Sequence, residues 1–230
     1  MLRDIRNRVD FFLRSSLRWG RTVDVEYTEK RDAPYQAEFE EFFPLFDWKT
    51  AIEPLRERQR LVVADIGCRT FLFAPVHQKK FRELGFATTL HGIEIDAYRR
   101  FTDFRTRNDY GKFYASRAQD GYFHPIDVLD FAEPLDVAFL LDPFVVKGPL
   151  LHWGLPSANF VPERIVEHVH RLLAPQSGLL VTSNPDEEER DVTYALCERF
   201  GFRRLEERYW EPKPESESSA RFGAFWATRR

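Results

Sequence analysis

Hydrophobic positions change their spacing repeatedly along the chain, from short continuous runs to intervals of three and four residues. The short runs are rich in β-branched residues and are typical of strands buried on both faces of a parallel sheet. They lie at residues 61–66, 88–95, 137–141 and 178–182. A weaker candidate strand covers residues 122–128, where Pro125 favours an edge position because proline cannot donate to a neighbouring strand.

Helical spacing separates these runs. Helices are predicted at residues 75–85, from the second strand to about 118, from 162 to 173, and at 186–200. The first opens at Pro75 and stops at Gly85, the usual order of helix-starting proline and helix-ending glycine. Two final strands, residues 202–209 and 221–228, have no room for a helix between them and should pair antiparallel. The alternation predicts an α/β fold with helices on both faces of a mostly parallel sheet.

The first sixty residues have a different character. Residues 1–21 place apolar side chains at helical spacing among six arginines: Leu2, Ile5, Val9, Phe12, Leu13 and Leu17. A basic amphipathic helix can lie on a membrane surface, but one short helix is a weak anchor, so docking on the protein's own body is favoured. Residues 22–60 contain an extended stretch at 22–27 and helical segments after it. We interpret residues 1–60 as a helical cap and 61–230 as the main domain.

Composition narrows the class of protein. The 230 residues carry a net charge of −3, which gives no global electrostatic case for nucleic-acid binding. Two cysteines are too few for a disulfide framework and favour a reducing compartment. The N-terminus lacks a signal-peptide pattern and no run approaches the roughly 20 apolar residues of a membrane span, so a cytoplasmic protein is expected. The six histidines show no metal-ligand spacing, and no metal is expected.

Acidic and small residues follow the predicted strands at the end where α/β sheets bind ligands. The candidate site residues are Asp65, Gly67, Cys68, Arg69, Glu94, Ile95, Asp127, Val128 and Asp142. A carboxylate in such a position can accept hydrogen bonds from a ligand. It can equally cap a helix, and this alternative is open for Glu94, Asp127 and Asp142. Cys68 has no evident base beside it and is interpreted as a small pocket residue.

Five segments taken together resemble class I S-adenosylmethionine-dependent methyltransferases in their order and spacing. They are residues 63–71, 92–96, 127–131, 135–142 and 172–181. The resemblance covers the chain from about Leu61 onward. It implies a three-layer Rossmann-like fold with a seven-stranded, mostly parallel sheet, an antiparallel terminal strand and the strand order 3-2-1-4-5-7-6. It also implies S-adenosylmethionine as the cofactor and methyl transfer to an unspecified acceptor.

The resemblance also assigns roles to the candidate residues. The turn Asp65–Phe71 would approach the methionine part of the cofactor, and Glu94 would accept hydrogen bonds from the ribose hydroxyls. Asp127 and Val128 would lie beside the adenine. Asp142 would face the transferred methyl group as the candidate catalytic residue. The dinucleotide alternative is poorer, because a Gly-x-Gly-x-x-Gly sequence is absent.

The first segment departs from the family at two places. The family prefers Asp-x-Gly-x-Gly-x-Gly, whereas this chain keeps Asp65 and Gly67 but has Arg69 and Phe71 at the later glycine positions. Glycine suits such a turn because it tolerates a positive φ and does not block the backbone's approach to a ligand. Arg69 can pair with a cofactor carboxylate, or it can fill the pocket of a catalytically inactive binding or regulatory module. Both alternatives are open.

Three further features bear on the substrate. Asp142-Pro143-Phe144 is weakly similar to the Asp-Pro-Pro-aromatic motif of amino-group methyltransferases. Residues 98–107 interleave arginines with aromatic residues, a pattern that can bind nucleic acid, although a solvated helix face paired with acids is favoured. The loop 145–160, with Trp153, lies where this fold usually receives its substrate. A small-molecule substrate is therefore expected, with nucleic acid as a weaker alternative.

Overall fold

The computed structural model describes residues 2–18, 29–211 and 220–228. The extended stretch predicted at residues 22–27 and most of the polar stretch 211–220 lie outside this described part of the chain. Its strands are β1 (Arg60–Ile66), β2 (Ala87–Ile93), β3 (Gly121–His124), β4 (Val137–Leu141), β5 (Leu179–Asn184), β6 (Phe202–Trp210) and β7 (Arg221–Thr228). Its α-helices are α1 (Leu2–Leu17), α2 (Glu29–Phe42), α3 (Trp48–Ala51), α4 (Ala74–Glu83), α5 (Arg107–Arg117), α6 (Lys147–His152), α7 (Pro162–Leu172) and α8 (Glu187–Arg199).

The strands form one sheet in the order β3-β2-β1-β4-β5-β7-β6. Neighbouring strands from β3 to β5 are parallel, and β7 runs antiparallel to both β5 and β6. Residue Ile66 at the end of β1 pairs with Ile93 on one side and Leu140 on the other. The carboxyl ends of β1, β2 and β4 therefore meet at one edge. The predicted strand order and the antiparallel terminal pair are confirmed.

Each face of the sheet carries its own hydrophobic core, because successive strand side chains point to opposite faces. Along β4, Val137 and Phe139 belong to one core and Ala138 and Leu140 to the other. Helices α7 and α8 cover the second face with residues such as Val166.

The segment from α2 to the short 3₁₀ turn Glu53–Leu55 contributes a large part of the first core. Phe43 stacks on Trp48 with ring centroids 4.3 Å apart, and the Trp48 ring lies 4.5 Å from Phe225 of β7. The indole N–H of Trp48 donates to the carbonyl oxygen of Phe43 at 2.8 Å. Aromatic side chains from this segment thus pack directly on the sheet. The division of the chain at residue 60 stays a prediction.

Two predicted elements differ in the structure. The helix expected to reach back toward the second strand begins only at Arg107, after turns across residues 95–106. Those turns bring Arg99 and Arg107 inward to Asp96. The predicted pairing with an acid is confirmed for these two arginines, whereas the predicted solvated helix face is wrong for them. Strand β3 lies at the sheet edge as predicted but ends at His124, one residue before the proline.

Helix α1 docks on the protein's body, but through its polar side. Asn7 and Arg14 are buried, whereas Leu2 and Phe12 are exposed. The expectation that the amphipathic helix rests on the body was therefore incomplete, since the apolar side faces outward. Within the described residues, no helix has the length and hydropathy needed to cross a membrane.

Candidate functional site

A cavity of about 380 Å³ opens at the carboxyl ends of β1, β2 and β4. All nine sequence-predicted site residues line it: Asp65, Gly67, Cys68, Arg69, Glu94, Ile95, Asp127, Val128 and Asp142. Apolar side chains such as Leu150, Val161 and Ile165 form the remaining wall. Its volume falls in the range of small-molecule sites, about 300–1,000 Å³.

The turn after β1 takes the backbone conformation that the family's glycines would supply. Gly67, Arg69 and Phe71 have φ angles of 71°, 55° and 59°. The backbone N–H of Gly67 donates to the carbonyl oxygen of Ile93 at 2.8 Å, which ties the turn to the end of β2. Left-handed conformations cost a residue with a side chain roughly 1–2 kcal/mol. The turn therefore has the backbone shape that glycines would allow, although Arg69 and Phe71 stand at two of the glycine positions. This shape carries a local conformational cost.

The side chain of Phe71 lies outside the cavity. It is 1% exposed and packs in the core on the α-carbon of Gly92 in β2. A methyl group added at Gly92 would lie 2.5 Å from Cγ of Phe71, so only glycine leaves room for the ring. The bulky residue at the third glycine position thus points away from the ligand side of the turn.

Glu94 links the turn after β1 to the turn after β2. Its Oε2 accepts a hydrogen bond from the backbone N–H of Arg69 at 2.8 Å, and its Oε1 accepts one from the backbone N–H of Asp96 at 2.7 Å. Nη1 of Arg107 lies 3.4 Å from Oε1. A carboxylate offers about four acceptor positions, so one remains on Oε2. Burial is the largest cause of a raised Glu94 pKa, opposed by the charge of Arg107.

Behind Glu94 lies a buried network of ion pairs centred on Asp96, which is 2% exposed. Nε of Arg14 contacts its Oδ1 at 2.8 Å, and Nε of Arg99 contacts its Oδ2 at 2.6 Å. Nη1 of Arg107 lies 3.6 Å from Oδ2. The network fixes α1, the turns after β2 and the start of α5 relative to one another.

Arg69 extends over an aromatic ring at the cavity wall. Its guanidinium carbon lies 5.0 Å from the ring centroid of Trp153, and that of Arg107 lies 5.4 Å from the same centroid. Nη2 of Arg99 also donates to the Trp153 carbonyl oxygen at 2.6 Å. The stack holds the Arg69 side chain against one wall, and it places a cation beside the turn.

Asp65 and Cys68 are the buried floor of the turn. Oδ2 of Asp65 lies 3.5 Å from Nε2 of His77, and neither atom has a hydrogen-bond partner among the described residues. Burial, and then the charges of Asp65 and Glu94, raises the pKa of the Cys68 thiol well above its ordinary value. The thiol is therefore protonated at neutral pH, which disfavours nucleophilic chemistry.

Asp127 and Val128 form the third side of the cavity. Oδ1 of Asp127 accepts a hydrogen bond from the backbone N–H of Leu129 at 3.0 Å, at the start of the 3₁₀ turn Val128–Asp130. Oδ1 of Asp127 therefore caps this 3₁₀ turn, which is the alternative role that the sequence left open for Asp127. Val128 and Ile95 add apolar surface on either side of this position.

Asp142 follows β4 with a φ of 48°. Its Oδ1 accepts a hydrogen bond from Oγ of Ser183 at 3.0 Å, and its Oδ2 forms an ion pair with Nη1 of Arg221. The carboxylate is thus oriented by β5 and β7 rather than by a helix N-terminus. Both oxygens keep further lone pairs for a ligand proton.

Sequence reasoning missed several residues around the cavity. Tyr35 and Arg221 line it from segments far from the strand ends, and nothing local in the sequence pointed to either. Asp96 and Arg107, which hold Glu94, lay in the segment interpreted as a solvated helix. Of the described residues, no group of three or more His, Cys, Asp or Glu side chains is placed to hold a metal ion.

Neither a family model nor a curated protein sequence matches the chain. Solved structures do. The magnesium protoporphyrin IX methyltransferase of Synechocystis, with bound S-adenosylmethionine, is similar over 98% of this chain and 97% of its own, at a TM-score of 0.55 and 12% identity. A Methanosarcina mazei S-adenosylmethionine-dependent methyltransferase is similar over 75% of this chain and 94% of its own, at 0.50 and 13%.

The (4+2)-cyclase SpnF is similar over 99% of this chain and 96% of its own, with a TM-score of 0.56 and 10% identity. At such identities the likeness concerns the fold. One of these proteins is a cyclase by name, so the fold alone does not specify methyl transfer. The chain has the class I methyltransferase fold.

Proposed function

We propose that this protein binds S-adenosylmethionine in the cavity between Gly67 and Glu94 and transfers its methyl group to a small molecule. The observation that carries the proposal is the turn after β1, in which Gly67, Arg69 and Phe71 all adopt positive φ. Two of them do so despite their side chains, and Phe71 packs away from the cavity. A turn with this shape supports close approach of a ligand to the backbone.

The residues around the cavity fit such a cofactor. Glu94 lies at the end of β2 with an acceptor position left on Oε2, which suits a ribose hydroxyl. Ile95 and Val128 provide apolar surface for a purine ring, and Asp127 keeps one oxygen outside its capping bond for an amine. Arg69, held over Trp153, places a positive charge where a carboxylate group would need one.

The sulfonium group of the bound cofactor supplies an activated methyl group. The protein's own residues then need to orient the acceptor and exclude water. Asp142, fixed by Ser183 and Arg221 at the cavity wall, is the proposed group for accepting or positioning an acceptor proton. Apolar residues such as Leu150 and Ile165 line the remaining space, where they would help a bound cofactor and acceptor to exclude water.

This apolar wall supports a small, partly apolar acceptor. The arginines within residues 98–107 do not form a common basic face that could bind nucleic acid, because Arg99 and Arg107 turn inward to Asp96. The proposed partner is therefore a small molecule. The proposed setting is the cytoplasm, because the low cysteine count favours a reducing compartment.

A catalytically inactive binding module is the second candidate. The ion pair between Asp142 and Arg221 favours it, since the guanidinium occupies an acceptor position on Oδ2 that an acceptor proton would need. The two candidates separate in a methyl-transfer assay with labelled cofactor and a panel of small acceptors. Turnover that Asp142→Asn reduces supports the enzyme, whereas binding without turnover supports the module.

Cofactor binding itself is tested by a thermal-stability titration with S-adenosylhomocysteine, with NAD⁺ in parallel. A ligand at 100 times its Kd stabilises the folded state by about 2.7 kcal/mol. We expect a shift with S-adenosylhomocysteine and none with NAD⁺. A chain that shows no shift at millimolar S-adenosylhomocysteine does not bind this cofactor.

A further inference from the structure

Helix α1 presents its apolar side chains to solvent. Leu2, Ile5, Val9, Phe12 and Leu17 are each more than half exposed. These positions recur at intervals of three, four and five residues, so they form one stripe along the helix. An exposed stripe of this kind marks an interaction site more often than an accident of sequence.

The opposite side of the helix is fixed to the body by polar contacts. Nδ2 of Asn7 donates to the carbonyl oxygens of Leu151 and Leu155 at 3.0 and 2.9 Å. Oδ1 of Asp4 accepts a hydrogen bond from the backbone N–H of Ser157 at 2.7 Å. Because Arg14 is also paired with buried Asp96, the apolar stripe cannot turn inward without breaking all of these contacts.

Cations border the exposed stripe. Residues 2–18 contain five arginines and two aspartates, although the whole chain has a net charge of −3. Arg3, Arg6 and Arg8 are exposed on either side of the stripe, and Arg14 alone is buried. An apolar stripe with arginines along its edges matches the surface of an anionic bilayer, where acyl chains lie beneath negative headgroups.

We propose that α1 is a peripheral docking surface for an anionic lipid bilayer. A second copy of the chain fits this surface less well. Pairing two such helices brings their arginine borders together, and five apolar side chains fall well short of the roughly 20–30 residues a side of a stable dimer.

The docked helix would also hold the cavity close to the lipid. Its inner face contacts residues 151–157, and Trp153 and Leu155 of that segment line the cavity. One helix thickness, about 10 Å, therefore separates the bilayer surface from the cavity wall. This arrangement suits a substrate that partitions into membranes, and the docking surface stands whether or not the cavity binds S-adenosylmethionine.

The test is co-sedimentation of the full chain, tagged at its C-terminus, with vesicles of phosphatidylcholine alone or of phosphatidylcholine mixed with phosphatidylglycerol, which gives the surface a negative potential. We expect binding to the anionic vesicles that weakens at high salt. Val9→Glu combined with Phe12→Glu should lower the partition coefficient about tenfold or more. The control is Leu205→Glu, an exposed apolar residue on β6, which should bind like the wild type.

Circular dichroism of each variant checks that it folds, and the exposed positions leave the core untouched. Equal sedimentation of the wild type with and without anionic lipid overturns the proposal. So does a wild-type dimer in sedimentation equilibrium that the α1 variant dissociates while neither chain binds vesicles, because the stripe would then serve a second copy. Loss of binding in the Leu205→Glu control also overturns it.

Discussion

The ring of Phe71 occupies the space above the α-carbon of Gly92, where any side chain would meet it: a methyl group there would lie 2.5 Å from Cγ of Phe71. The ring of Phe71 in the turn after β1 thus fits the space left by Gly92 near the end of β2. This pair explains how a phenylalanine can replace a glycine in the turn without filling the cavity.

Gly92→Ala should lower the free energy of unfolding by about 1–3 kcal/mol, because the added methyl group overpacks the core. Urea unfolding measures the change. Gly148→Ala is the matched control, since nothing lies within 4 Å of the added methyl there. In the Phe71→Ala background the cost of Gly92→Ala should largely disappear. Equal costs in both backgrounds would contradict the proposed size match.

At position 69, replacement by glycine should leave the protein more stable than replacement by alanine. Both variants lose the guanidinium contact with Trp153, but only alanine keeps a side chain at a φ of 55°. Arg69→Gly should therefore unfold at higher urea than Arg69→Ala, by roughly 1 kcal/mol. At Arg56, where φ is −55°, alanine should be at least as stable as glycine. The same order at both positions would show that the turn is not strained.

Asp96 should be indispensable for stability. Replacing it by asparagine leaves Arg14, Arg99 and Arg107 with less negative charge in a buried setting. We expect Asp96→Asn to lower the free energy of unfolding by about 3 kcal/mol or more, as for other broken buried pairs. Asp130→Asn, at an exposed position, is the control. A loss below about 1 kcal/mol, the scale of exposed pairs, would mean that the network contributes little.

Glu189 gives the protein a pH-dependent stability. Burial, followed by the charges of Asp186 and Asp142, raises its pKa from 4.5 to about 7. Between these values the folded chain holds a proton that the unfolded chain has released, so stability falls as pH rises from about 4.5 to about 7. Glu189→Gln removes this dependence and should be more stable than the wild type at pH ~8, on the order of 2 kcal/mol, and no more stable at pH ~4.

Glu188→Gln, an exposed neighbour with the same charge change, is the control for Glu189→Gln. It should shift the unfolding curves equally little at both pH values. If the two glutamine variants behave alike, the effect comes from net charge and not from the burial of Glu189.

The fold could be predicted from sequence because each strand has a local signal in the chain, such as a short apolar run or a proline at its end. The apolar run at residues 137–141 and the final strand at 221–228 have the observed bounds, and Pro125 correctly marked an edge strand. The acids at the ends of the parallel strands line the cavity because parallel strands end at one edge: Asp65, Glu94, Asp127 and Asp142.

Contacts between distant residues could not be predicted in this way. The sequence predicts acidic partners for the arginines at 99 and 107 but not their burial, because only the fold brings Arg14 to the same carboxylate of Asp96. The polar docking of α1 depends on carbonyl oxygens at Leu151 and Leu155, which carry no sequence signal. The room for Phe71 likewise depends on Gly92, in another strand.

Equilibrium binding of labelled S-adenosylmethionine tests most directly whether the turn after β1 and Glu94 together hold the cofactor. The wild type should bind one equivalent, and Glu94→Ala should bind at least about tenfold more weakly, a loss of about 1.4 kcal/mol. Glu83→Ala, at an exposed helix end, should bind like the wild type. Absence of binding by a folded wild-type chain, or undiminished binding by Glu94→Ala, would contradict this account of the cavity.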